Sequence, residues 1–195
     1  GFRQGVKSYG KITTELFKPS KPIETGALAT HHIMDEVLVD CRPHTEAKLP
    51  DGFEYVIGHN VDFDWRVLGE PPVKRICTLA LARYTWPDAG SHTIGALLYA
   101  LHRARARELL REAHSAEHDV RLCFLVLDAI IRENGVTDID ALWELSEIAR
   151  IPKVITFGKH AGTAIADLPH DYKLWMLRQA DFDPYLIKAV KESMK

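Results

Sequence analysis

Asp119 falls on the apolar stripe of a helix. Leu122, Cys123, Val126 and Ile130 follow it at i+3, i+4, i+7 and i+11, the spacing of a helix whose one face packs into a core. A carboxylate on that face is costly to bury alone and needs a donor, a base or a metal ion beside it. The pattern recurs at Asp64, where Val67 and Leu68 stand at i+3 and i+4. Two inward-facing aspartates, each at a helix start and one led by a histidine (His114), point to a metal-dependent hydrolase. Singly, the residues have ordinary readings too. A first-turn Asp119 also suits the helix dipole, Asp64 alone reads equally as a surface residue, and His114 alone as a loop histidine.

The bulk of the chain narrows the classes. Its 195 residues, 46% of them apolar, allow one sizeable domain or a domain with a small appendix. Twenty-five basic against 27 acidic residues leave a net charge of −2, which excludes a broadly basic nucleic-acid coat but not a local basic groove. Cys41, Cys77 and Cys123 are far apart, so neither a zinc knuckle nor a disulfide framework is indicated, and a cytoplasmic setting fits. His31 and His32 lack further ligands at zinc spacing. No apolar run is long enough to span a bilayer, so no membrane partner is expected.

Strand and helix signals alternate. Residues 12–17 read as a strand, 25–31 and 35–39 as short helices, and 55–57 as a buried strand stopped by Gly58, with a helix from about Val61. A strand over 73–78 and a helix over 79–84 follow, the latter stopped by Trp86-Pro87. Ser91 or Thr93 caps the next helix, and Ser115 caps the long one that ends near Asn134-Gly135. Arg103, Arg105, Arg107 and Arg111 form either a solvated face or a phosphate contact. This alternation predicts an α/β domain over residues 1–136. Residues 137–195 read as a small α+β module: a helix to Arg150, a strand over 154–157, a turn over 158–162, and two helices, the second opened by Asp183-Pro184.

Taken together, these motifs resemble the DEDDh exonuclease superfamily. His59-Asn60-Val61-Asp62-Phe63-Asp64 is similar to its second motif, His-Asn-Ala-x-Phe-Asp, and His114 to Asp119 to its third, His-x4-Asp. Residues 22–33 are similar to the stretch before its helix, with His31 as the match. The segment Thr156-Phe157-Gly158-Lys159-His160-Ala161-Gly162, with Asp171-Tyr172 and Leu174-Trp175, resembles the C-terminal module of the exodeoxyribonuclease X group. The resemblance implies a ribonuclease H-like fold, a mixed sheet flanked by helices. It implies Asp64 and Asp119 as ligands of a two-metal Mg²⁺ or Mn²⁺ site and His114 as general base. Asn60, Phe63 and His31 would line the nucleotide pocket, and Lys159 would touch a DNA phosphate. The activity implied is removal of 5′-monophosphates from DNA 3′ ends and single strands, in repair.

The superfamily's first motif, Asp-x-Glu-Thr on its first strand, has no counterpart; the first acidic residue is Glu15. That motif carries two of the four acidic ligands. The expectation is therefore an N-terminally incomplete sequence, with strands of roughly 20 to 30 residues ahead of Gly1. Two other readings stand beside the exonuclease: a non-catalytic DNA-end binding module that lost the first motif, and a short-oligonucleotide phosphodiesterase.

Overall fold

In the computed structural model, which describes residues 12–111 and 115–195, the first regular element is helix α1 (Thr25–His31). Two single 3-10 turns follow, Asp35–Leu38 and His44–Glu46. Helix α1 buries none of its residues. Residues 12–17 do not form the expected strand. Among the described residues they have no partner strand, and only Lys18 pairs, in an isolated parallel bridge to Pro43. A lone extended run cannot satisfy its backbone groups across a ladder, so it stays irregular.

The ordered centre is a βαβ unit. Strand β1 (Tyr55–Gly58) runs parallel to β2 (Lys74–Cys77), with Tyr55 opposite Lys74 and Gly58 opposite Cys77. Helix α2 (Val61–Val67) makes the crossover. The turn between β1 and α2 is tight. A Cβ on Gly58 would come within 3.3 Å of the Val61 side chain, and Asn60 adopts the left-handed region at φ 70°, which asparagine tolerates better than most residues. The α/β expectation holds, but the sheet among the described residues is two parallel strands rather than a larger mixed one.

Helices then build the core. They are α3 (Thr78–Thr85), α4 (Ile94–Leu101), α5 (Arg103–Leu109), α6 (Ala116–Glu133) and α7 (Ile139–Ala149). Thr93 rather than Ser91 caps α4, accepting from the Ala96 N–H. Ser115 caps α6 as expected, accepting from the His118 N–H. The apolar stripe of α6 delivers Leu122, Val126 and Ile130 to a cluster with Ile76, Leu81, Leu97 and Leu98. The arginines of α5 are exposed, and only Ala106 of that helix is buried.

Helix α7 packs on β2 and α3, and its Leu142 joins the same cluster. Its Ser146 is fully buried and accepts the Cys77 N–H at 2.9 Å. The packing therefore changes after α7. A second cluster gathers Ile155, Ile165, Leu168, Met176 and Val190 beneath helices α8 (His170–Met176) and α9 (Pro184–Glu192). The strand expected over 154–157 is reduced to one antiparallel bridge, Val154 to Ala164, because the chain turns at once through Gly158 at φ 62°. Lys173 is buried in this unit, and its ammonium donates to the Ala166 carbonyl at 2.8 Å.

One polar node joins the two clusters. Asp62 accepts from Arg75 at 2.5 Å and from Arg150 at 2.6 Å. Arg150, whose side chain is only 4% exposed, also donates to the Tyr185 hydroxyl of α9. Tyr185 donates onward to Glu147 at 2.7 Å, and its pKa is pushed up to about 12, chiefly by burial. Removing Asp62 would leave a buried guanidinium short of its main counter-charge. Asp62→Ala is thus expected to lower unfolding stability by about 2 kcal/mol in urea titrations, and Asp62→Asn by less. Stability unchanged by Asp62→Ala would contradict this account of the node.

Candidate active site

The β1–α2 turn and the start of α6 meet across one cleft of about 1310 Å³. Val61 anchors α2 in the core with no exposed surface. Asp64 lies one helical turn on, so it shares Val61's side of the helix, and both line the cleft. Across from it, Asp119 lines the same cleft together with Leu122 and Cys123, its i+3 and i+4 neighbours. The spacing holds for Asp119; Asp64 reaches the same space on the side of Val61 instead, since Val67, its i+3 neighbour, is 60% exposed.

Their surroundings differ from an ordinary surface. Asp64 is exposed overall, yet protein crowding at its carboxyl raises its pKa above the usual aspartate value, with a hydrogen bond from its own backbone opposing. Asp119, in the first turn of α6, is half-buried. His114 lies outside the described residues. Asn60 and Phe63 sit on the turn and helix start beside Asp64, both exposed, Phe63 at 61%. Neither is among the residues lining the cleft, nor is His31. His31 ends α1, where its Nδ1 accepts the Ile33 N–H at 3.0 Å. Lys159 lies on the second unit, in a 3-10 turn at Gly158–His160, with its ammonium 5.6 Å from the centre of the Tyr172 ring. His118 is half-buried and hydrogen-bonds the Leu109 carbonyl, tying α6 to α5.

A histidine with no expected role turns out to hold the cleft together. His59 places Nε2 2.9 Å from the His92 carbonyl and Nδ1 3.0 Å from the Thr78 hydroxyl. A carbonyl only accepts, so Nε2 carries the proton and Nδ1 accepts from Thr78. The Cys123 thiol can then donate to Thr78 Oγ1 at 3.5 Å. Burial pushes the His59 pKa down and nearby Arg83 and His92 push the same way, while the His92 carbonyl pulls it up. A neutral imidazole thus clamps the 91–93 loop to the β1–α2 turn. Arg83 lines the cleft as well, one turn beyond Leu79 on α3. Its i+4 spacing from Leu79 was the available sequence signal. His59 gave none beyond its place in the motif, because its partners are distant in sequence.

As a metal site the cleft fits in donor type and falls short in number. Carboxylate oxygens suit hard divalent cations such as Mg²⁺ or Mn²⁺. Among the described residues, however, no three His, Cys, Asp or Glu side chains gather around one point. A carboxyl crowded in this way favours its neutral form, so the ionised Asp64 costs native stability in full above its raised native pKa, and that cost fades as pH falls from there to the unfolded-state value. With chelator present, Asp64→Asn is therefore expected to raise unfolding stability at pH 7, by at most about 0.5 kcal/mol given its exposure. The gain should be absent near pH 3. A destabilised variant at neutral pH would show the opposite sign.

No protein-family model matches the chain. The chain is 29% identical to exodeoxyribonuclease 10 of Escherichia coli strain K12 over 184 residues, which is 88% of this chain and 80% of that protein. Exodeoxyribonuclease 10 of E. coli O6:H1 gives the same figures. Among solved structures, exonuclease X in complex with 5′ overhanging duplex DNA matches with a TM-score of 0.56 at 27% identity, covering 75% of this chain and 93% of that one. No helix among the described residues is long and apolar enough to cross a membrane. Sequence and fold agree, and the chain is a homologue of exodeoxyribonuclease 10 (exonuclease X), consistent with the DEDDh resemblance of its motifs.

Proposed function

We propose that this protein is a metal-dependent DNA exonuclease that removes nucleoside 5′-monophosphates from 3′ ends, single strands included, in DNA repair. The observation that supports it is the pairing of Asp64 and Asp119 across one cleft in a homologue of exodeoxyribonuclease 10. In this reading the two carboxylates hold Mg²⁺ or Mn²⁺, which supplies Lewis-acid stabilisation of the charge that develops on the phosphodiester. His114 takes the proton from the attacking water, as a histidine of near-neutral pKa can. Phe63 and Asn60 meet the terminal nucleotide from the cleft rim, His31 does so from its separate helix, and Lys159 contacts a phosphate farther along the strand. Arg83, inside the cleft, is suited to a phosphate oxygen.

Two measurements test it. Asp64→Asn and Asp119→Asn should each cut Mg²⁺-dependent digestion of a 3′-labelled oligonucleotide by roughly 10²-fold or more while the fold is retained. Divalent cation should also raise the melting temperature of the parent protein and not of Asp119→Asn. Undiminished digestion by either variant would refute the assignment. Oligonucleotide binding without any divalent-dependent turnover would instead favour the non-catalytic DNA-end module.

A further inference from the structure

The second cluster carries more aromatic surface than its core uses. Tyr172 stacks on Trp175 with ring centres 5.1 Å apart and planes at 29°. Trp175 meets Phe182 edge-on at 5.7 Å, and Phe182 meets Phe157 at 5.5 Å. The four rings form one continuous series. Two of them stay wet, Trp175 at 45% and Phe157 at 39% exposure. Neighbouring rings hold them rigid, so little side-chain freedom remains to be lost when something stacks on them.

The series meets cationic surface at two points, Phe182 and Tyr172. Phe182 also lines a shallow groove of about 560 Å³, with Lys188, Lys191, Lys195 and one acidic residue, Glu192. The three lysines recur at i, i+3 and i+7 along and just past α9, so they share one side. All three are exposed. At the far end Lys159 stands over Tyr172. Residues 151–195 hold seven Lys or Arg against five Asp or Glu, in a chain whose net charge is −2. The unit that carries the exposed rings is thus net positive in a chain that is net negative.

We propose that this face of the C-terminal unit binds single-stranded nucleic acid, as a surface separate from the Asp64–Asp119 cleft. Unpaired bases offer π faces to Trp175 and Phe157, while the lysines on either side neutralise the phosphates that follow. A duplex keeps its base faces inside its own stack and cannot use the rings. The surface goes beyond the nuclease reading: it holds a strand whether or not the cleft cuts it.

The test is equilibrium binding of the full chain to a fluorescently labelled oligothymidylate of about 20 nucleotides, long enough to span such a surface. EDTA is present throughout so that no hydrolysis intervenes. Trp175→Ala should weaken binding at least about fivefold, and Trp175→Phe should restore most of it. The double variant Lys188→Glu/Lys191→Glu, at exposed positions where folding is not at issue, should weaken binding too. It should also lower the slope of log affinity against log salt by roughly 1.4. Parent-like affinity and salt slope in both Trp175→Ala and the lysine pair would overturn the proposal. So would an equal loss for blunt duplex DNA, or a loss seen on anionic phosphatidylserine vesicles but not on the oligonucleotide.

Discussion

The Asp62 carboxylate is the point at which the two halves of this molecule agree. It takes hydrogen bonds from Arg75 on β2 and from Arg150 at the end of α7. Arg150 in turn reaches Tyr185 on α9. The Arg150 guanidinium, 4% exposed, could not be held so far from water without that counter-charge, since a buried cation is tolerated only when paired and hydrogen-bonded. The Arg75 guanidinium also sits over the Trp65 ring, 4.0 Å from its centre, which braces the outer side of α2. Helix α2 has only seven residues and would be marginal alone. Its orientation comes from Val61 below and from this node beside it, and that orientation carries Asp64 to the cleft.

The cleft is built on the opposite principle. At the node, opposite charges satisfy each other. In the cleft, carboxylates converge and Asp64 is crowded rather than paired. Groups that a fold pushes away from their ordinary ionisation, in a concave space, mark a functional site more often than a structural one. The His59 clamp adds rigidity without adding charge, because its imidazole is neutral and both ring nitrogens are occupied. The walls of the site are thereby fixed by uncharged hydrogen bonds, with both aspartates on its lining.

Much of this was legible in the sequence. The stripe Leu122, Val126, Ile130 predicted α6, and the same spacing placed Asp119 on its inner side. Gly58 marked the end of β1, and Asp183-Pro184 the start of α9. These signals are local, and local spacing is enough to fix a helix and its buried face. The failures were of the other kind. Residues 12–17 and 154–157 have strand-like composition, but a strand is made by its partner, and neither run has a continuous one among the described residues. His59 and the Arg150–Asp62 contact depend on residues far apart in sequence, so no window of neighbours could reveal them. The α7 helix looked like the start of a new module because its sequence follows a turn, whereas Leu142 and Ser146 pack it onto the first core.

Asp62 and Asp64 stand two positions apart on one short helix and so face different ways. One is committed to architecture and its neighbour to the cleft. Genetic evidence gathered on this protein would blur them. A screen for loss of function would recover Arg150 beside Asp64 and Asp119, although Arg150 is not among the residues lining the cleft. A lesion in the far unit that shifted Tyr185 would surface as a fault in the first. Mutational maps of this chain would therefore draw an outline wider than the cleft itself, extended along the route from α9 through Arg150 to α2.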